Sequence, residues 1–244
     1  METKQPKVSV VIPVYNEEDQ LEWSINNVMK VCRKNYGNNF EIVVANNASK
    51  DRTLEIAKKL SKKYKEVKYI HLNEKGRGRA LRKAWSILDG DILCYMDVDL
   101  STDLKHLKQL TDAIKNGADV AFGTRLVPDS ETERCFTRTL YSRTYNLLLK
   151  LFFNAKFTDA QCGFKAINSK VAKNIVPYVE GNKWFFDSEL LIKAGRNGYK
   201  LAEIPVLWVE DLGTTVNIRK IIIEYLTCIL KLRYDLWFKK VKTN

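Results

Sequence analysis

Five short apolar runs, each followed by a helix-forming stretch, fill the first half of this 244-residue chain and leave few folds open to it. Val8-Ser9-Val10-Val11-Ile12, stopped by Pro13, reads as a first strand, with a helix over about Glu18–Arg33. Glu41–Ala45 is the second strand, and Ser49 or Asp51 caps a helix through Tyr64. Val67–Leu72 is the third, followed by a Gly-rich turn and a helix over Arg79–Leu88. Ile92–Met96 is the fourth, with a helix over Leu104–Asn116 closed by Gly117, and Ala118–Phe122 is the fifth. Strands alternating with helices of about 12 residues imply right-handed βαβ units and a mostly parallel sheet flanked by helices.

Beyond Arg125 the pattern loosens. Val127–Phe136 reads as a polar loop and Thr137–Phe153 as a helix with an apolar cluster at Leu147–Phe153. A less regular stretch leads to a helix over Asp187–Arg196, then to extended runs at Leu201–Ile204 and Val206–Val209 and a long helix over Val216–Lys240. The expected organisation is one α/β domain over 1–215, in halves 1–125 and 126–215, with a C-terminal amphipathic helix over 216–244.

Composition removes several kinds of chemistry. Five scattered cysteines in odd number argue for a reduced compartment and against a thiolate metal site. With only two histidines, His71 and His106, zinc catalysis and a Ser-His-Asp triad are poor candidates. Met1–Pro6 is polar with no apolar segment after it, so no signal peptide is expected. No apolar run approaches the roughly 18 residues of a membrane span. The net charge of +12 suits nucleic acid, an anionic membrane face or phosphorylated ligands, although much of Lys58–Lys68 also reads as a solvated surface.

The chemistry concentrates at the strand tips. Asp97 and Asp99 end the fourth strand, at the edge of an open α/β sheet where ligands bind. Two carboxylates there suit a hard divalent cation carrying a phosphorylated substrate. Alone, they also fit a strand-end turn before a helix capped by Ser101, Thr102 or Asp103. The first tip carries Pro13-Val14-Tyr15-Asn16-Glu17, the second Ala45-Asn46-Asn47 and Ser49–Thr53, the third Lys75-Gly76-Arg77-Gly78-Arg79. Together they surround one crevice with base-pairing amides, phosphate-binding cations and metal-binding carboxylates.

With those motifs the chain resembles the family 2 glycosyltransferases of the inverting GT-A type, in particular the polyprenyl (dolichyl) phosphate sugar synthases. Further markers are Gly123-Thr124-Arg125, Arg138–Ser142, Asp159–Lys165 and Trp184–Leu190. The resemblance implies a GT-A (Rossmann-like) fold. It assigns 1–125 to the nucleotide sugar and 126–215 to the acceptor. By that resemblance Pro13, Tyr15, Glu17, Ala45, Asn46, Asn47, Lys75, Gly76, Asp97, Val98, Asp99 and Gln161 bind the nucleotide sugar. Asp97 and Asp99, helped by Ser101, hold Mg²⁺ or Mn²⁺, and Arg125, Arg138 and Ser142 bind the acceptor phosphate. Asn46 and Asn47 stand where relatives commonly carry aspartates, which leaves the base open; an amide can accept and donate at a uracil edge.

The implied reaction transfers a hexose from a nucleotide sugar, UDP-glucose first, to polyprenyl phosphate with inversion. The alternatives are GDP-mannose or UDP-GlcNAc as donor, or a soluble hydroxyl acceptor. A phosphate nucleophile is already anionic and needs little help from a base. Asp187 matches the family's catalytic carboxylate, as a positioning or assisting group, and also reads as a helix N-cap. Cys162 is not expected as a nucleophile, because a single inverting displacement forms no covalent intermediate. The arginines also read as surface salt bridges, although Lys and Arg recur through 134–173 against one carboxylate, Asp159.

In the last helix Ile221–Ile223, Leu226, Ile229, Leu230 and Leu232 alternate with Arg219, Lys220, Lys231, Lys239 and Lys240. That pattern fits a helix on an anionic membrane or one packed on the core. The expected location is cytoplasmic, peripheral on a membrane's cytoplasmic face. Nucleic acid is not an expected partner, since it would not call for paired carboxylates at a strand tip.

Overall fold

The structure, a computed structural model, describes residues 5–133, 135–210 and 218–238. Chain order runs β1 (Val8–Val14), α1 (Leu21–Tyr36), β2 (Phe40–Asn47), α2 (Thr53–Lys63), β3 (Val67–Leu72), α3 (Arg77–Ile87) and β4 (Ile92–Met96). It continues with α4 (His106–Lys115), β5 (Val120–Thr124), β6 (Glu131–Glu133), α5 (Phe136–Phe153), β7 (Phe164–Asn168) and α6 (Ser169–Asn174). The last elements are α7 (Phe186–Arg196), β8 (Leu201–Pro205), β9 (Leu207–Val209) and α8 (Ile218–Phe238).

Seven strands form one sheet in the order β3-β2-β1-β4-β7-β5-β8, and β6 and β9 make a separate parallel pair. Alternate residues face opposite sides: Val8, Val10 and Ile12 join a core with α1, α2 and α4, while Val11 and Val43 join one with α3, α5, α7 and α8. Both faces are therefore covered, as the five apolar runs require. The strand order reverses between β1 and β4, which opens a crevice at their carboxyl ends.

The structure departs from the sequence expectations at several places, among them the start of α3 at Arg77 instead of Arg79. Pro13 does not stop the first strand, which continues to Val14 paired with Asn46. Pairing between β1 and β4 ends at Val11, so the missing N–H costs no bond on that side. The helix after β2 starts at Thr53 with Arg52 at the N-cap; Asp51 nonetheless accepts from the Thr53 N–H at 3.0 Å. The polar loop contains β6, and the irregular stretch contains β7 and α6. β7 is antiparallel to both β4 and β5, an element that a strictly alternating reading does not supply. Finally, α4 begins at His106 with Lys105 at its N-cap; Asp103 nonetheless accepts from the Lys105 N–H at 2.8 Å. The boundary at 215/216, Arg134, Lys239 and Lys240 lie outside the described residues, as do the side chains of Arg219, Lys220, Ile221 and Ile222.

Glycine is required where α3 meets the segment before α7. A Cβ on Gly78 would lie 2.4 Å from the Gly181 carbonyl oxygen and 2.6 Å from Phe186 Cβ. Gly78→Ala is expected to lower the unfolding free energy by about 1–3 kcal/mol, read as a lower urea midpoint at unchanged slope.

Candidate active site

The strand tips around the crevice are tied to one another. Asn16 N–H donates to Ser49 Oγ at 3.0 Å, Glu17 N–H to Thr53 Oγ1 at 2.8 Å, and Lys50 N–H returns to Asn16 Oδ1 at 2.8 Å. Asn16, Ala48 and Leu100, at the tips of β1, β2 and β4, all hold positive φ of 56°, 62° and 52°. Left-handed backbone at non-glycine residues is costly and persists where surrounding bonds fix it. Asn47 Oδ1 accepts from Gly76 N–H at 2.6 Å, which docks the start of α3 on β2. Lys75 Nζ lies 3.4 Å from the Tyr15 ring centroid, over the same crevice. Pro13 and Ala45 are buried in the sheet, and the Val98 side chain packs in the core between the two aspartates.

Asn46 is fully buried, with its Nδ2 2.8 Å from His71 Nδ1 on β3. Its Oδ1 is buried with no partner. A buried unpaired acceptor costs about 1–3 kcal/mol.

Asp97 and Asp99 line one small pocket with Met96, Leu100, Ser101, Thr102, Gly163 and Trp208. Asp97 N–H donates to the Gly163 carbonyl at 3.2 Å, and a Cβ on Gly163 would lie 1.7 Å from Asp97 Oδ2. Glycine there is what lets the carboxylate lie against β7. Asp99 Oδ1 accepts from Ser101 N–H at 2.9 Å, which folds the strand end back on itself. Two carboxylates with a hydroxyl beside them are a hard oxygen donor set, and they fit a small divalent cation.

Behind this pocket lies a charge cluster of which the sequence showed only Asp187. Arg77 donates from Nη2 to Asp97 Oδ1 at 2.8 Å and from Nη1 to Asp187 Oδ2 at 2.5 Å. Lys165 Nζ is 3.0 Å from Asp187 Oδ1, and the Tyr95 hydroxyl donates to the same oxygen. Burial pushes the Asp187 carboxyl up, but Lys165 and Arg77 outweigh it and hold it below the ordinary value. Asp187 is not an N-cap: α7 starts at Phe186, Phe185 caps it, and the carboxylate turns inward with its residue 2% exposed. Arg77 had shown only as one of several cations in a Gly-rich turn, Tyr95 as part of an apolar run, and Lys165 as part of a motif.

The residues expected to bind an acceptor phosphate are engaged within the chain. Arg125 donates to Asp159 from Nε at 2.7 Å and Nη2 at 3.0 Å, and its guanidinium lies 5.3 Å from the Trp208 ring. The pair is buried, so for Arg125 the surface-bridge alternative is corrected to an internal one, in which Asp159 takes one edge of the fork; for Arg138 the salt-bridge alternative holds. Arg138 pairs with Glu210 at 2.5 Å and is 35% exposed, while Ser142 is buried on α5. Gln161 N–H donates to Asp159 Oδ1 at 3.1 Å. Burial pushes the Cys162 thiol up to about 11, which disfavours a thiolate.

With its switch-point crevice and paired carboxylates at the fourth strand tip, the fold is GT-A. Residues 9–176 match Glycosyl transferase family 2, and the chain belongs to that family. It is 36% identical over 233 residues to Glycosyltransferase AglD of Haloferax volcanii, covering 94% of this chain and 37% of that protein. It is 28% identical to the dolichyl-phosphate beta-glucosyltransferase of Saccharomyces cerevisiae, covering 85% of this chain and 68% of that one. Among solved structures, glucosyl-3-phosphoglycerate synthase of Mycobacterium tuberculosis, in complex with Mn²⁺, UDP and glucosyl-3-phosphoglycerate, is similar with a TM-score of 0.68 at 16% identity. That match covers 94% of this chain and 80% of the synthase.

The two buried ion pairs make a pH prediction. Burial raises the Asp159 carboxyl, but Arg125 outweighs it, so Asp159, like Asp187, titrates lower folded than unfolded. The unfolded chain then takes up protons first on acidification. The stabilisation is complete above about pH 5 and is lost as pH falls through the folded-state values. Asp159→Asn is expected to lower stability at pH 7 by about 3–5 kcal/mol and to flatten the acid limb, measured by urea unfolding from pH 3 to 8.

Proposed function

We propose that this chain transfers a hexose from a UDP-sugar, with inversion, using a divalent cation at Asp97 and Asp99. The observation that carries the reading is that pocket: two carboxylates at the tip of β4, beside the switch point, with Gly163 making room for one of them. Mg²⁺ or Mn²⁺ bound there would offset the charge of the departing diphosphate. Asn46, held by His71, presents an amide suited to a uracil edge, with Tyr15 beyond β1 and Lys75 beyond β3 on the strands either side of β2. UDP and Mn²⁺ in the similar synthase support this choice of donor and cation.

The acceptor has two readings, each with an observation behind it. A soluble phosphorylated acceptor is supported by the similar synthase, whose complex holds glucosyl-3-phosphoglycerate. A polyprenyl phosphate is supported by the dolichyl-phosphate relatives and by the surface of α5 and α8. Tyr225, Ile229 and Leu232 of α8 pack on the core, with Tyr225 4.5 Å from Tyr145 of α5 between ring centroids. Leu147 and Leu151 on α5 and Leu230, Tyr234, Trp237 and Phe238 on α8 remain exposed. No helix among the described residues is long and apolar enough to cross a membrane. On the lipid reading, 216–244 lies on a membrane's cytoplasmic face while 1–125 and 126–215 serve donor and acceptor. Asp187, bound by three donors, acts as a positioning group toward a lipid phosphate, whereas a soluble hydroxyl acceptor would call on it as the base.

The test offers radiolabelled UDP-glucose, UDP-GlcNAc and GDP-mannose with Mn²⁺ to two acceptors, polyprenyl phosphate and 3-phosphoglycerate, and counts organic and aqueous phases. UDP-sugar label in an acceptor product supports the function, and the labelled phase selects the acceptor. No transfer from any donor contradicts it. Asp99→Asn is expected to cut kcat at least about 100-fold, the loss typical of removing one group that stabilises developing charge, with the thermal midpoint nearly unchanged.

A further inference from the structure

Arg77 stands between two carboxylates that differ in their access to solvent. Its Nε and Nη2 both donate to Asp97 Oδ1, at 3.2 and 2.8 Å, and its Nη1 donates to Asp187 Oδ2. The Asp187 side chain is 3% exposed and is also bound by Lys165 and Tyr95; that of Asp97 is 38% exposed and faces the pocket. The guanidinium lies between the rings of Tyr95 and Trp184, 4.9 and 5.0 Å from their centroids. One end of the guanidinium is sealed and the other opens onto the carboxylate expected to hold the cation.

We propose that Arg77 is an internal counter-ion for Asp97, which a divalent cation displaces far more readily when a nucleotide diphosphate arrives with it. The inference rests on the donor reading above. A cation approaching Asp97 alone meets a guanidinium already using Oδ1, while Oδ2 lies against Gly163. Two positive groups then compete for one carboxylate in a half-buried setting, where charges are weakly screened. A diphosphate changes the balance: its oxygens give Nε and Nη2 a new acceptor and offset the added charge. The Nη1 bond to Asp187 holds the guanidinium in place throughout, so only its open end changes partner. Cation and nucleotide therefore bind with positive coupling, and each must raise the affinity of the other by the same factor.

The test measures free Mn²⁺ by electron paramagnetic resonance during titration of the full chain, with and without saturating UDP. In the wild type, UDP tightens Mn²⁺ binding strongly. In Arg77→Met, Mn²⁺ alone is expected to bind about tenfold more tightly, equivalent to ~1.4 kcal/mol, and the enhancement by UDP shrinks by a similar factor. A merely structural role would weaken both affinities and leave their ratio alone. Near-UV circular dichroism checks the fold. If Arg77→Met does not fold, Arg77→Lys keeps the charge without the fork and is expected to show the same change at smaller size. Mn²⁺ binding no tighter than wild type, with the UDP enhancement unchanged, overturns the proposal and leaves the donor reading standing. A wild type that binds no Mn²⁺ even with UDP overturns both.

Discussion

The ion cluster around Asp187 holds the two halves of the site together. One carboxylate receives Arg77 from α3, Tyr95 from β4 and Lys165 from β7, and Arg77 extends the connection to Asp97. Lys165 is fully buried and also donates to the carbonyls of Ala160 and Cys162, so the segment before β7 is fastened to the same point. Isolated charges at this depth would be expensive, and pairing with full hydrogen bonding is what makes them tolerable. The cluster fixes where the pocket carboxylate points, and through Lys165 it fixes where β7 lies.

β7 has a second consequence. An open parallel sheet would place β5 next to β4, but the antiparallel strand separates them and brings Gly163 against Asp97. The same segment carries Asp159, which holds Arg125 over Trp208, and Trp208 lines the pocket. The pocket carboxylate Asp97 and Arg125 are thus joined through one short stretch of chain, while Arg138 pairs with Glu210 outside it.

The first half of the fold was legible because βαβ alternation has few solutions, and every strand from β1 to β5 lies where its apolar run stands. Asp97 and Asp99 were singled out only together with the neighbouring strand tips and the family resemblance, because alone they also fit a strand-end turn, which Asp99 makes with the Ser101 N–H. β7 was not: it is five residues long, with a lysine inside it that breaks the apolar pattern. Arg77 and Tyr95 were hidden for a related reason, since their partners lie 110 and 92 residues away and no local spacing reports them. Arg125 and Arg138 were expected as phosphate ligands from the family resemblance; their partners Asp159 and Glu210 were not legible because they are distant in sequence. The orphan carbonyl of Asn46 depends on the cross-strand neighbour His71, which only the register of β2 and β3 reveals.

The account turns on a cation held at Asp97 and Asp99 with the base against Asn46. Anomalous diffraction at the manganese edge, from crystals grown with MnCl₂ and UDP, tests this directly. The account predicts one manganese peak bonded to the Asp97–Asp99 pair and to the diphosphate, with the uracil N3–H on Asn46 Oδ1. Manganese bound elsewhere in the chain, or UDP seated outside the crevice between β1 and β4, would contradict it.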